Sequence, residues 1–138
     1  MFSIGDLSKQ TGVKVPTIRY YEQMGLLAAC ERTAGNQRRY GGGELEQLGF
    51  IKHARDLGFS IEAIRALIEL QGHPDRTCGE ANAIAEAQLQ AVRGKISQLC
   101  KLEGELERIV GGCDGEGPSS DCYVLASLAD HGFCGGAH

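Results

Sequence analysis

Apolar residues fall at Ala85, Leu89, Val92, Ile96, Leu99, Leu102, Leu106 and Ile109, in steps of four, three, four, three, three, four and three. That rhythm belongs to a helix and places all eight on one stripe. A single stutter, Leu99 to Leu102, leaves the seam intact. No proline interrupts it, and Gly94 and Gly104 only weaken it. A stripe this narrow on a helix this long finds too little partner within a chain of 138 residues. It predicts a two-helix seam with a second copy.

One cysteine, Cys78, stands just before this stretch, and two, Cys113 and Cys122, follow it. A helix over residues 80 to 110 is about 45 Å long at ~1.5 Å per residue. Two sulfurs bound to one ion through bonds of about 2.3 Å sit only a few ångström apart. Cys78 and Cys113 of one chain therefore cannot share a metal. In an antiparallel dimer they can, because each helix start then lies beside its partner's helix end. The expected site joins Cys78 of one subunit to Cys113 and Cys122 of the other. The alternative is that Cys78 is simply a small residue at a helix start.

Ahead of the stripe, residues 3–10 read as a short helix, with Ile4 and Leu7 inward and Ser3 as its cap. Thr11-Gly12-Val13 is a turn, and Pro16 suits the first turn of a second helix reaching about Met24, where Gly25 stops it. Two short helices around a turn, the second bearing Lys14, Thr17, Arg19 and Tyr20, fit a helix-turn-helix. Two short extended runs then flank Gly35-Asn36, predicting a β-ribbon whose Arg32, Arg38 and Arg39 suit phosphate or minor-groove contact. Its alternative is a solvated charged loop. After the break at Gly41-Gly42-Gly43, a third helix is expected from Glu44 to about Leu57. A fourth, capped by Ser60, carries Ile61, Ile64, Leu67, Ile68 and Leu70. His73 marks its end and reads as a helix-end residue rather than a ligand.

Gly111 and Gly112 release the long helix into a loop of Gly, Pro, Ser and Asp, which folds back so that Cys113 and Cys122 meet one ion. Tyr123 to Leu128 reads as a short covering helix that packs Val124, Leu125 and Leu128. The Gly-rich tail holds His131, Cys134 and His138, which offer additional ligands or are simply an unused end. Cys30 and Cys100 lie far from the loop in sequence, and Cys100, beside Leu99, reads as a packing residue. The expected division is 1–75 for the DNA-binding head, 76–112 for the dimerisation helix, and 113–138 for the loop, short helix and tail.

Charge is divided along the chain. Residues 1–55 carry eight Lys/Arg against five Asp/Glu, a net of +3, and residues 56–138 carry six against thirteen, a net of −7. A basic head on an acidic body suits a polyanionic partner. With 42% hydrophobic and 23% charged residues the composition is that of a soluble globular protein. No apolar run approaches the ~20 residues of a membrane span. The N-terminus has no basic region followed by an apolar signal core, so a reducing cytoplasm is expected, with cysteines used for metal or redox chemistry rather than as three disulfides. There is no nucleophile–base pair or phosphate loop, and an enzyme is not expected.

The runs Ile4-Gly5-Asp6-Leu7, Thr17-Ile18-Arg19-Tyr20-Tyr21-Glu22, Gly25-Leu26-Leu27, Gly35-Asn36-Gln37-Arg38-Arg39-Tyr40 and Leu57-Gly58-Phe59-Ser60 resemble the MerR family of bacterial transcription regulators. The resemblance spans almost the whole chain. It implies a mainly α fold, with a winged helix-turn-helix head, an antiparallel coiled-coil homodimer and a metal-binding loop and helix at each end. It also implies activation by twisting an over-long promoter spacer so that bound RNA polymerase can start. By position, Thr17, Arg19 and Tyr20 would be recognition-helix contacts to operator DNA, and Arg38 and Tyr40 wing contacts. Cys78 looks like the cysteine that separates sensors of divalent metals from those of copper(I), and Cys113 and Cys122 look like the loop pair. Their spacing is most similar to the mercury- and lead-type members. The adjacent cysteines and loop histidine of the zinc type are absent, and Tyr123 stands where proline often follows the second loop cysteine. The iron–sulfur branch needs four closely spaced cysteines, and drug-sensing members need a large ligand domain.

Three thiolates form a soft site that selects against Mg, Ca and Mn. Hg(II) and Pb(II) suit a trigonal arrangement. Zn(II) and Cd(II) prefer four donors, the fourth coming from water, Asp114, Asp121 or the tail. The expected function is a metal-responsive activator of a metal-resistance or efflux promoter. Two alternatives stand beside it: a thiol–disulfide redox sensor, and a metal-buffering protein.

Overall fold

The computed structural model describes residues 1–28, 31–32, 34–35 and 38–129, apart from the side chains of Glu31, Arg32 and Arg38. The chain separates into two compact units, Met1–Ala85 and Glu86–His138.

The first unit begins with α1 (Ile4–Thr11) and α2 (Val15–Gln23). Ser3 caps α1 reciprocally: its Oγ accepts from the Asp6 N–H at 3.1 Å, and the Asp6 carboxylate accepts from the Ser3 N–H at 3.0 Å. That amide, followed by the Ser3 hydroxyl, holds the Asp6 carboxyl below its ordinary value. Gly12 closes α1 at φ 79°, a left-handed cap natural to a residue without Cβ. Proline follows in the first turn of α2, where its missing N–H is not needed.

Strands β1 (Glu31–Arg32) and β2 (Arg38–Arg39) pair antiparallel, Glu31 opposite Arg39 and Arg32 opposite Arg38. The expected ribbon is present; Asn36, within its expected turn, lies outside the described residues, as does Cys30. Tyr40 then exchanges two backbone hydrogen bonds with Phe2, 2.7 and 2.8 Å long, tying the ribbon's base to the chain's first residues. Helix α3 (Gly42–Asp56) starts two residues before the expected Glu44. The Glu44 carboxylate reaches back to accept from the Gly41 N–H at 2.9 Å, and this cap draws two glycines into the first turn. Helix α4 (Ile61–Gln71) is capped as expected, with Ser60 Oγ accepting from the Ala63 N–H at 3.1 Å. Helix α1 packs on both α2 and α3, and α3 on α4. Leu7, Ile18, Tyr40, Leu48, Ile51 and Ile64 are fully buried between them.

Helix α5 (Gly79–Gly111) is one unbroken run of 33 residues. In a single subunit its stripe is largely solvent-facing: Ile96, Leu99 and Leu106 are 54%, 64% and 59% exposed, while Ile109 is buried. Beyond it come a 3-10 turn, Ser119–Asp121, and α6 (Tyr123–Ala129). The inward face of α6 differs from the expected one. Ser127 is buried, and Tyr123 and the expected Val124 are half-buried, whereas Leu125 and Leu128 face outward. Tyr123 and Ser127 are spaced i, i+4 and so share a face, and the Tyr123 ring anchors that face to the end of α5. Among the described residues no helix is long and apolar enough to cross a membrane.

Candidate metal centre and nucleic-acid interface

The end of α5 delivers Cys113 directly: the Gly112 N–H donates to Arg108 O at 3.1 Å and the Cys113 N–H to Val110 O at 3.1 Å, so the first sulfur continues the last helical turn. The loop returns through Gly115 and Gly117, both at positive φ. Its 3-10 turn ends as the Cys122 N–H donates to Ser119 O at 3.2 Å. The Cys122 carbonyl then accepts from the Ala126 N–H at 3.1 Å, making Cys122 the cap of α6. The two sulfurs, nine residues apart in sequence, stand 3.9 Å from each other, both half-buried.

That separation fits a shared metal ion. With bonds of about 2.3 Å, two sulfurs stand about 3.8 Å apart at a tetrahedral angle, about 4.0 Å at a trigonal one and about 4.6 Å in line. The backbone N–H of Leu125, then that of Val124 and the Cys113 thiol, hold the Cys122 thiol below its ordinary value, against the opposing effect of burial. A lower value favours the thiolate, the form that ligates metals and attacks disulfides.

Cys78 is exposed, immediately before α5, and lines an open groove of about 290 Å³ with Phe50, Leu67, Leu70, His73 and Pro74. Among the described residues of one chain, no group of three His, Cys, Asp or Glu side chains gathers where it could hold an ion. His131, Cys134 and His138 lie outside the described residues. Cys100, expected as a packing residue, is exposed in a single subunit, beside the outward-facing Leu99.

In the head, α2 presents Lys14, Arg19 and Tyr20 to solvent, with Thr17 half-buried between them. Tyr21 turns inward, its ring 6.0 Å from that of Tyr20. Arg39 is half-buried in β2, and Arg32 and Arg38 occupy ribbon positions, their side chains outside the description. Tyr40 corrects the expectation of a wing contact. It is fully buried, and its hydroxyl donates to the Glu22 carboxylate, so its side chain braces the ribbon's base against α2 instead of facing outward. Sequence reasoning also passed over Arg108. Its Nη1 donates to Tyr123 Oη at 2.7 Å and its Nη2 to Glu105 at 3.0 Å, and the Glu105 carboxylate raises its guanidinium above the ordinary value. The i, i+3 spacing of Glu105 and Arg108 was the available signal.

The sequence matches the family described as "MerR HTH family regulatory protein" over residues 2–71 and "MerR, DNA binding" over residues 45–109. It is 39% identical to the HTH-type transcriptional regulator ZntR of Escherichia coli (strain K12) over 130 residues, covering 93% of this chain and 92% of the relative. The chain belongs to the MerR family. It is similar to the mercuric resistance operon regulatory protein of Serratia marcescens as well, 39% identical over 127 residues, covering 91% of this chain and 86% of that one. The solved structure of the transcription regulator PbrR691 from Ralstonia metallidurans CH34 in complex with lead(II) overlays with a TM-score of 0.79 at 38% identity. The match covers 93% of this chain and 99% of that one. Within the MerR family the chain is a transcription regulator of the metal-responsive kind. Identity is the same, 39%, to ZntR and to the mercuric regulator of Serratia marcescens.

Proposed function

We infer that this MerR-family chain acts as a homodimer that binds operator DNA and activates a metal-resistance or efflux promoter when a soft divalent ion, Hg(II), Pb(II), Cd(II) or Zn(II), reaches its thiols. The observation that carries the reading is the Cys113–Cys122 pair, 3.9 Å apart just beyond a 33-residue helix whose apolar stripe is open to a second copy. Cys78 of the partner subunit completes a three-thiolate site. Residues 1–75 serve as the DNA-binding head, 76–112 as the dimerisation segment and 113–138 as the metal-binding end. The protein works in a reducing cytoplasm, with RNA polymerase as its further partner and no catalytic chemistry of its own.

When bound, the ion supplies bonds that join the two subunits at each end of the seam. Whichever dimer arrangement brings the three thiolates together is favoured by the binding free energy. Lys14, Thr17, Arg19 and Tyr20 of the two heads then meet the operator at the half-site spacing of that arrangement, and the DNA between them is distorted. Arg32, Arg38 and Arg39 hold phosphates beside the recognition helix. The lowered Cys122 thiol and its proximity to Cys113 support a second reading, a loop disulfide as a redox signal.

An anaerobic titration with the four ions, following thiolate-to-metal absorption, tests the first reading. A mixed dimer with Cys78→Ser on one chain and Cys113→Ser on the other is expected to keep one intact site; finding none would overturn the shared site. Peroxide-driven switching in metal-free buffer would move the redox reading ahead.

A further inference from the structure

Cys122 is joined to the end of α5 by its neighbour's side chain as well as by the loop. The Tyr123 hydroxyl accepts from Arg108 Nη1 at 2.7 Å, and the Arg108 guanidinium carbon stands 6.0 Å from the Tyr123 ring centroid. Glu105 fixes the other arm of Arg108 at 3.0 Å. Below the ring lies Gly112. A Cβ there would collide with Cδ1 of Tyr123 and stand 2.7 Å from its Cγ. That ring edge is attached close to the backbone and cannot swing aside like the tip of a long chain, so the absence of a side chain at Gly112 is a condition of the arrangement. Glu105, Arg108 and Gly112 are on α5 or its first residue beyond, and Tyr123 follows Cys122 directly.

We propose that Tyr123, seated on Gly112 and held by Arg108, is a positioning residue that presets the Cys113–Cys122 separation and so selects the coordination the loop accepts. The inference rests on the loop pair being ligands. A sulfur separation of 3.9 Å lies between the tetrahedral and trigonal values for bonds of about 2.3 Å and well short of the in-line value of about 4.6 Å. A clasped loop therefore offers a bent two-sulfur chelate with room for further donors. It resists opening to hold an ion between two thiolates in line. A released loop loses that preference, because each sulfur then orders itself only as the ion binds.

The test uses the full chain with Tyr123→Phe, which keeps the ring and removes the acceptor, and Gly112→Ala, which displaces the ring. Circular dichroism checks that both retain wild-type helix content. In metal-free protein, the equilibrium of the Cys113–Cys122 disulfide against glutathione, read by peptide mapping, reports how closely the thiols are held. Both variants are expected to move that equilibrium constant away from the wild-type value, because a disulfide needs the sulfurs at about 2.05 Å and the clasp holds them at 3.9 Å. With Zn(II), whose bonds of about 2.3 Å match the clasped separation of 3.9 Å, release of the loop is expected to weaken affinity several-fold. Affinity for Cu(I), which accepts two thiolates in line, is expected to change less, so the Zn(II)/Cu(I) ratio falls. Wild-type disulfide equilibrium and wild-type selectivity in both variants would overturn the clasp. If Cys113→Ser and Cys122→Ser also bind Zn(II) like wild type, the ligand reading itself fails, an outcome distinct from failure of the clasp alone.

Discussion

Tyr40 and Arg19 show how differently two residues of one DNA-binding head are used. Tyr40 is buried with its hydroxyl on Glu22, while Arg19, on the same helix as Glu22, faces solvent. Tyr40→Phe removes a hydrogen bond to a carboxylate and should lower the stability of the head by about 1.5–3 kcal/mol, visible as an earlier denaturation midpoint with unchanged slope. Unaltered stability would mean that water replaces the contact without loss. Arg19→Ala should weaken operator binding and reduce the salt slope by about one, while Cd(II) or Pb(II) affinity measured in the same preparation stays at the wild-type value. Loss of metal binding in that variant would argue against separate roles for head and loop. Tyrosine is an amphipathic side chain, found both in cores and at interfaces. The family resemblance places Tyr40 among wing contacts, and only the three-dimensional position of Glu22, eighteen residues away, shows it as a brace.

Helices α1 to α5 were legible because local chemistry writes them: Ser3 before Ile4, Pro16 near a start, Ser60 before Ile61, and an apolar residue every three or four positions from Ala85 to Ile109. The start of α3 was not, because Gly42 and Gly43 are poor helix formers recruited by Glu44 reaching back to Gly41. The inner face of α6 was not legible either. Leu125 and Leu128 look like core residues beside Val124, and the contact that seats Tyr123 and Ser127 inward instead, Tyr123 on Gly112, is tertiary. The approach of Cys113 to Cys122 was foreseen from Gly-rich loop composition, whereas Arg108 was hidden among the charges of α5. Local chemistry also yields a pH prediction. Because the folded carboxyl of Asp6 titrates lower than the unfolded one, its contribution is present above the ordinary carboxylate value, about 4. That contribution is lost as pH falls through the folded value. Asp6→Asn should therefore flatten the acid limb of the head's stability curve and leave its slope near neutrality unchanged, as followed by thermal melts between pH 3 and pH 7 (values on the order of the carboxylate range).

At the scale of the whole molecule, the solvent-facing stripe of α5 is the feature that a single subunit leaves uncovered. Leu99→Lys places a charge in the proposed seam. Withholding one leucine from burial costs about 1.5–3 kcal/mol, so the dimer dissociation constant should rise at least about tenfold in sedimentation equilibrium. An unchanged mass distribution would place the seam elsewhere. The brace at Tyr40 has a consequence of a different kind. Phe2, Glu22 and Tyr40 already fix the ribbon's base to α2 before any DNA arrives. Little of that framework remains to be ordered on binding, so the heat capacity of operator association should be modest and set by contact area. Coupled folding of a loose wing would instead add the large negative increment of burying 1,000–3,000 Å² or so, and calorimetry at several temperatures distinguishes the two.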